Sequence, residues 1–119
     1  MTTSVPYLDV KKVGDALVLK FTRTDMTDAV FITTVGNEIY RLLKGVEKPK
    51  VILDFSEVER LSSATLGMLV ALRKVLAKQE GQMRVTNIAD DLIEIFKLTR
   101  LDVTLQVCGS NQAAIESFR

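Results

Sequence analysis

Hydrophobic and polar positions change their spacing several times along the chain, which predicts strands and helices in alternation. Two short β-type runs, Leu8–Val13 and Ala16–Phe21, flank a Gly-Asp dipeptide and predict a hairpin. Apolar residues then recur at helical spacing from Asp28 to Leu43, and Thr27 or Asp28 is suited to cap the start of this helix. The first third of the chain therefore predicts two strands and a helix.

The remainder of the chain continues this alternation. The continuous apolar run Val51–Phe55 predicts a strand buried on both faces, and helical spacing follows from the hydroxyl cluster near Ser63 to about Gln79. The last predicted elements are, in order, a strand at Met83–Thr86, a short helix from Asp90, a strand at Thr104–Val107 and a terminal helix from about Asn111. This order predicts one α/β domain over residues 1–119, with a mixed sheet of about five strands, parallel at its centre, and about four packed helices.

Composition restricts the kind of protein that this domain can be. Its 16 lysines and arginines against 15 aspartates and glutamates give a net charge of +1, which leaves no electrostatic footprint for a nucleic acid. The absence of histidine excludes Ser-His and Cys-His catalysis and histidine-bound metals. A single cysteine forms no internal disulfide and favours a reducing compartment. We therefore expect a cytoplasmic domain that is not an enzyme and holds no metal or cofactor.

The sequence shows no segment that predicts binding to a membrane or to a nucleic acid. Residues Met1 to Pro6 lack the positive charge and apolar run of a signal peptide, and no stretch approaches the roughly 18 apolar residues of a membrane helix. A basic cluster is formed by Arg41, Lys44, Lys48 and Lys50, but acidic residues interleave with these cations and no aromatic platform accompanies them. We therefore expect a protein partner instead.

The segment Asp54–Gly67 carries the strongest functional signal in the chain. A buried strand ends at Asp54, a short loop follows, and the hydroxyls of Ser62, Ser63 and Thr65 cluster where a helix begins. Hydroxyls at this position cap free backbone N–H groups, which stabilises a helix by about 1 kcal/mol. They are also candidate sites of covalent modification. Both interpretations stay open, since one hydroxyl can cap the helix while another is modified.

Three regions, the first of them in two parts, resemble one protein family in this order along the chain. Asp54–Ser56 and Ser62–Gly67 are similar to the Asp-Leu-Ser and Asp-Ser-Ser-Gly-Leu-Gly runs of the STAS domain. Ile95–Asp102 resembles the family's Phe-x-Leu-Thr-Gly-Leu-Asp element, and Asn111–Ala114 resembles the start of its last helix. STAS domains form bacterial anti-sigma factor antagonists and the cytoplasmic tails of sulphate transporters. The resemblance covers nearly the whole chain and implies a single STAS-like domain.

The resemblance also implies a phosphorylation site. The family's phosphorylated Ser or Thr falls on Ser63, and Ser62 is a second candidate acceptor. Two positions depart from the family motif, because Ser62 stands where the family has Asp and Thr65 stands where it has Gly. Together with Asp54 and Ser56, these three residues are the expected contacts with a partner. Losing the glycine is expected to reduce backbone freedom at the helix start.

The helix after Ser63 offers a further candidate docking surface. Its apolar spacing predicts that four leucines face the core, namely Leu66, Leu69, Leu72 and Leu76. Met68 then lies on a neighbouring strip with Ala71 and Val75. This strip either widens the buried face or forms an exposed patch beside Ser63, and an adaptable methionine suits the second alternative.

The resemblance implies a partner switch that regulates bacterial transcription. The unmodified antagonist binds an anti-sigma factor that is also a serine kinase, and phosphorylation of Ser63 releases it. The chain has no phosphate-binding glycine loop, so Mg-ATP belongs to the kinase. The alternative is a STAS scaffold subunit that is not phosphorylated, in a stressosome-like assembly or a transporter complex.

Overall fold

A six-stranded mixed sheet with helices on both faces forms the centre of the molecule. The computed structural model describes residues 2–5 and 7–118, so Met1, Pro6 and Arg119 lie outside it. The strands are β1 (Thr2–Val5), β2 (Leu8–Val13), β3 (Ala16–Phe21), β4 (Asp25–Met26), β5 (Lys50–Asp54), β6 (Arg60–Leu61), β7 (Gln82–Thr86) and β8 (Val107–Cys108). The helices are α1 (Ala29–Leu43), α2 (Ser63–Lys78), α3 (Asp90–Leu98), α4 (Leu101–Thr104) and α5 (Asn111–Ser117).

The sheet has an antiparallel half and a parallel half. Its strand order is β1-β2-β3-β5-β7-β8; β1, β2 and β3 pair antiparallel, whereas β3-β5, β5-β7 and β7-β8 pair parallel. The hairpin of β2 and β3 has the predicted bounds, and Gly14 takes a left-handed backbone with φ of 62° at its turn. The predicted α/β class with parallel central strands is confirmed.

Alternation along the strands creates two apolar layers. Leu19 and Leu53 lie in the large core beneath α1, α2 and α3, whereas Val18 and Ile52 lie in a smaller cluster with Ala114 of α5. Successive strand residues point to opposite faces, so helices on both sides are needed to bury a strand such as β5. Among the described residues, no helix combines the length and the apolar character that crossing a bilayer requires.

The last predicted strand, Thr104–Val107, was wrong in its position. Residues Leu101–Thr104 form the short helix α4, and the strand is confined to Val107–Cys108. The Leu105 N–H bonds to the Leu101 carbonyl at 2.8 Å, and burial of Leu105 favours this single turn over an extended backbone. A left-handed residue, Gln106 with φ of 54°, then redirects the chain into β8.

Three short strands, of two to four residues each, are not predicted by the sequence pattern. They are β1, β4 and β6. The last two form a separate parallel pair, in which Asp25 lies opposite Arg60 and Met26 lies opposite Leu61. Two-residue strands have no periodicity to detect, because long-range pairing alone creates them. This pair nevertheless holds the segment that leads into α2.

Candidate functional site

The carboxyl ends of the parallel strands bring distant polar residues together at one edge of the sheet. Asp54 ends β5, Asn87 follows β7, and Asn111 begins α5. Asn87 has a left-handed backbone with φ of 57°, which asparagine tolerates better than most residues. The edge therefore lies where ligands and partners approach such sheets.

Asp54 is the centre of a hydrogen-bond network at this edge. Its side chain is only 5% exposed. Oδ1 accepts bonds from the Ser56 N–H at 2.9 Å and from Asn87 Nδ2 at 3.1 Å, while Oδ2 accepts from Asn111 Nδ2 at 2.9 Å. The side-chain oxygen of the same asparagine, Asn111 Oδ1, accepts a hydrogen bond from the Thr86 hydroxyl. Asp54 thus ties the loop after β5 to β7 and to α5.

These bonds decide the ionisation of Asp54. Burial alone raises the pKa of its carboxyl, but the hydrogen bonds from Asn111, Asn87 and Ser56 outweigh burial and leave the pKa below its usual value. The folded state therefore favours the carboxylate. An ionised carboxylate accepts hydrogen bonds only, so all three donors are satisfied at neutral pH.

Asp54→Asn is expected to lower the free energy of unfolding by about 1.5–3 kcal/mol at pH 7, because an amide nitrogen cannot accept a bond from a buried donor. The pKa of Asp54 is depressed by folding, so its stabilisation is present above the unfolded-state pKa of about 4 and disappears as the pH falls through the folded pKa. Urea unfolding of both proteins at pH 7 and at pH 3 measures this. If wild type and Asp54→Asn differ in free energy of unfolding by the same amount at pH 7 and at pH 3, the stabilising role of the Asp54 carboxylate is contradicted.

The rim of the edge is more polar and more exposed than its centre. Ser56 is exposed, and the neighbouring Glu57 forms an ion pair with Lys20 of β3 at 2.8 Å. The hydrogen bond to Glu57 raises the pKa of the Lys20 ammonium. Of the two predicted partner contacts near the end of β5, Ser56 is accessible. Asp54 is buried and accepts a hydrogen bond from the Ser56 backbone N–H.

The predicted phosphorylation site lies at the start of α2. Ser62 is the residue that precedes the helix, and its Oγ is buried. Ser63 is the first helical residue and is exposed to solvent. The two candidate acceptors therefore differ in accessibility. Among the described residues, no hydrogen bond joins this helix start to the Asp54 network.

Thr65 is a structural residue of the helix start. It is fully buried, its hydroxyl donates to the Met26 carbonyl at 2.6 Å, and the Ser62 N–H donates to the same hydroxyl at 3.2 Å. Thr65 has an ordinary helical backbone, so the position requires no glycine and the expected loss of backbone freedom has no consequence here. The Thr65 side chain has no exposed surface in this conformation.

Met68 belongs to the core, whereas Ala71 of the same predicted strip is exposed and Val75 is partly exposed. Its side chain is 9% exposed and packs against Gly36 of α1, with Met68 Sδ lying 3.4 Å from the position that a Cβ on Gly36 would take. Leu66, which was expected to face the core, is only partly buried. The buried face of α2 is therefore rotated, since Thr65 and Met68 share it with Leu69, Leu72 and Leu76.

Sequence reasoning missed the partners of the site residues. Asn87 and Asn111 lie 33 and 57 positions away from Asp54, and Met26 lies 39 positions away from Thr65. The only available signal was that asparagine follows one strand and begins the last helix. A turn or a cap explains asparagine at such positions equally well.

Comparison with solved structures identifies the same fold in several proteins. A Thermotoga maritima protein assigned to the anti-sigma factor antagonists has 22% identity and a TM-score of 0.76, over 90% of this chain and 90% of its own. A STAS domain protein of Planctomyces limnophilus has 19% identity and a TM-score of 0.74, over 92% and 95%. The anti-sigma factor antagonist SpoIIAA in its unphosphorylated form has 14% identity and a TM-score of 0.60, over 76% and 82%. These likenesses show the fold.

The family itself is shown by the sequence. The family model of the STAS domain matches residues 7–114, which includes the Asp54 network, the start of α2 and the first turn of α5. The observed order of strands and helices agrees with that match. The chain therefore belongs to the STAS domain family.

Proposed function

We propose that this protein is an anti-sigma factor antagonist controlled by phosphorylation of Ser63. In this proposal, the unmodified chain binds an anti-sigma factor that is also a serine kinase, and the phosphorylated chain is released. The observation that carries the proposal is the contrast at the start of α2, where the Ser63 side chain is exposed and the Ser62 hydroxyl is buried. A kinase reaches the exposed hydroxyl without unfolding the helix.

The helix start suits an added phosphate on physical grounds. The first turn of α2 has unpaired N–H groups and the positive end of the helix dipole, and it contains no acidic residue. A phosphate brings about −1.5 to −2 charges, which this position tolerates. The modification then changes the surface that a partner meets, while the fold is preserved.

The structural neighbours support the same role. The Thermotoga maritima protein is assigned to the anti-sigma factor antagonists and SpoIIAA is one of them, and both share this fold over most of their length. The chain itself has no glycine-rich phosphate loop, so the kinase supplies Mg-ATP and the catalytic groups. The protein acts in the cytoplasm as substrate and ligand of that kinase.

Incubation with the cognate kinase and Mg-ATP is expected to add one phosphate, about 80 Da, to the chain. Ser63→Ala is expected to abolish the gain, which intact-mass spectrometry detects. Ser62→Ala is the matched control and is expected to leave the gain unchanged, because its hydroxyl is buried. Phosphate that persists in the Ser63→Ala protein overturns the assignment of the site.

A second candidate function is a scaffold subunit that is never phosphorylated. Position 62 favours it, because the family's carboxylate beside the acceptor is replaced here by a buried serine hydroxyl. This alternative predicts that the chain co-purifies with the subunits of a stressosome-like or transporter complex and gains no phosphate. Recovery of a kinase in the same pulldown, together with phosphate on Ser63, excludes it.

A further inference from the structure

A cleft lies between the carboxyl-terminal ends of α1 and α2, away from the proposed phosphorylation site. Its volume is about 1100 Å³. Apolar surface in the cleft comes from Tyr40, Val46 and Val75, which are all partly exposed. Ser63 is at the opposite end of α2, and a helix of 16 residues is about 24 Å long. The cleft is thus separated from the proposed phosphorylation site by most of the length of α2.

The two walls of the cleft are held together by Gln79. Its Nε2 donates to the carbonyl of Leu43 at 2.8 Å and to that of Val46 at 2.7 Å, and its own carbonyl accepts from the Lys48 N–H at 3.0 Å. Gln79 therefore satisfies one backbone carbonyl in the last residue of α1 and one in the loop that follows it. Because these bonds join α2 to the loop after α1, the cleft exists before any ligand arrives, which lowers the entropic cost of binding.

The cleft concentrates positive charge in a chain that is nearly neutral. Four cations line it, namely Arg41, Lys44, Lys48 and Lys78, against two carboxylates, Glu47 and Glu80. Arg41 is paired with Glu38 of its own helix at 2.9 Å. The three lysines take part in no ion pair among the described residues. Their charges are therefore available to an anionic ligand.

We propose that this cleft binds an acidic protein segment that carries aliphatic or aromatic anchors among its carboxylates. The apolar surface of Tyr40, Val46 and Val75 accepts the anchors, and the lysines around it pair with the carboxylates. A bilayer is a flat surface that a concave cleft does not match, so a peptide segment fits better than a membrane. The surface operates whether or not Ser63 is phosphorylated, because about one helix length separates the two.

The test uses a fluorescein-labelled synthetic peptide of about 15 residues, with leucines at i, i+4 spacing among glutamates. Fluorescence anisotropy with the full chain is expected to show binding that weakens as salt is raised. The double substitution Lys44→Glu/Lys78→Glu is expected to weaken binding about tenfold or more. Lys11→Glu/Lys97→Glu reverses two exposed lysines outside the cleft and is the matched control, with the same net charge.

Three outcomes overturn the proposal. One is no binding of the acidic peptide at low salt, and another is equal weakening by the cleft and control reversals. The third is that the chain binds phosphatidylserine vesicles but not the peptide, and that Lys44→Glu/Lys78→Glu abolishes the vesicle binding. When the peptide is added to the wild-type protein, the backbone amide chemical shifts are expected to change most around Tyr40, Lys44 and Val75. This measurement supports the proposal without depending on the folding of any variant.

Discussion

Phosphorylation of Ser63 is expected to weaken the proposed complex with an anti-sigma factor kinase by about two to three orders of magnitude. Ser63 is exposed at the start of α2, so a partner that docks on this edge meets the phosphate directly. One like-charge contact near 4 Å costs about 4 kcal/mol at an effective dielectric constant of 20, which is nearly three decades of affinity. Solvent and salt at the rim of the interface reduce this cost.

Calorimetric titration of the kinase with unmodified and phosphorylated protein measures the effect. Ser63→Asp brings one negative charge and is expected to give a smaller loss in the same direction. Lys11→Ala lowers the net charge by the same amount at an exposed position of β2, and it is expected to leave the affinity unchanged. Equal affinities for the modified and unmodified chains contradict the switch, even if Ser63 proves to be the acceptor.

Phe55→Ala is expected to lower the free energy of unfolding by about 3–5 kcal/mol, which removes much of the stability of a domain of this size. Phe55 is 1% exposed and belongs to the large core, at the start of the loop that leads to α2. Its ring packs edge-on against Phe21 with a centroid distance of 5.0 Å and against Phe96 at 6.4 Å. Removing it leaves a cavity and cancels both aromatic contacts.

Urea unfolding followed by circular dichroism measures this loss. Leu98→Ala is a suitable control, because the Leu98 side chain is 83% exposed and its truncation is expected to change stability by less than about 0.5 kcal/mol. A loss below about 1 kcal/mol for Phe55→Ala contradicts the packing described. Because Phe55 lies between Asp54 and Ser56, a folded variant is also expected to disturb the network at the sheet edge.

The parts of the fold that depend on local patterns were predictable. The hairpin of β2 and β3 has the predicted bounds, and α2 ends within one residue of the expected position. Asp28 caps α1 as one of the two predicted candidates, since its carboxylate accepts from the N–H of Val30 at 2.8 Å and from that of Phe31 at 3.1 Å. Periodicity, capping and turn residues act over a few positions, so they are readable in the chain.

The candidate site was predictable only as a set of positions. The motif placed Ser63 at a helix start, and the structure leaves it exposed there. Spacing gave no means to rank Ser62 against Ser63, or to show that Met68 is buried. Burial depends on which way α2 is rotated against α1, and that is decided by the close packing of Met68 on Gly36.

The β2–β3 hairpin, the longer helices, the family motifs and the lack of histidine chemistry are readable in the sequence alone, since each is carried by residue types at short spacing. Which polar groups meet depends on the tertiary fold. Asp54 is ionised and buried because Asn87 and Asn111 arrive from other elements, and Thr65 is satisfied because β4 brings the Met26 carbonyl to it. Such contacts join residues that are far apart in the sequence and are brought together by the tertiary fold, so no local pattern predicts them.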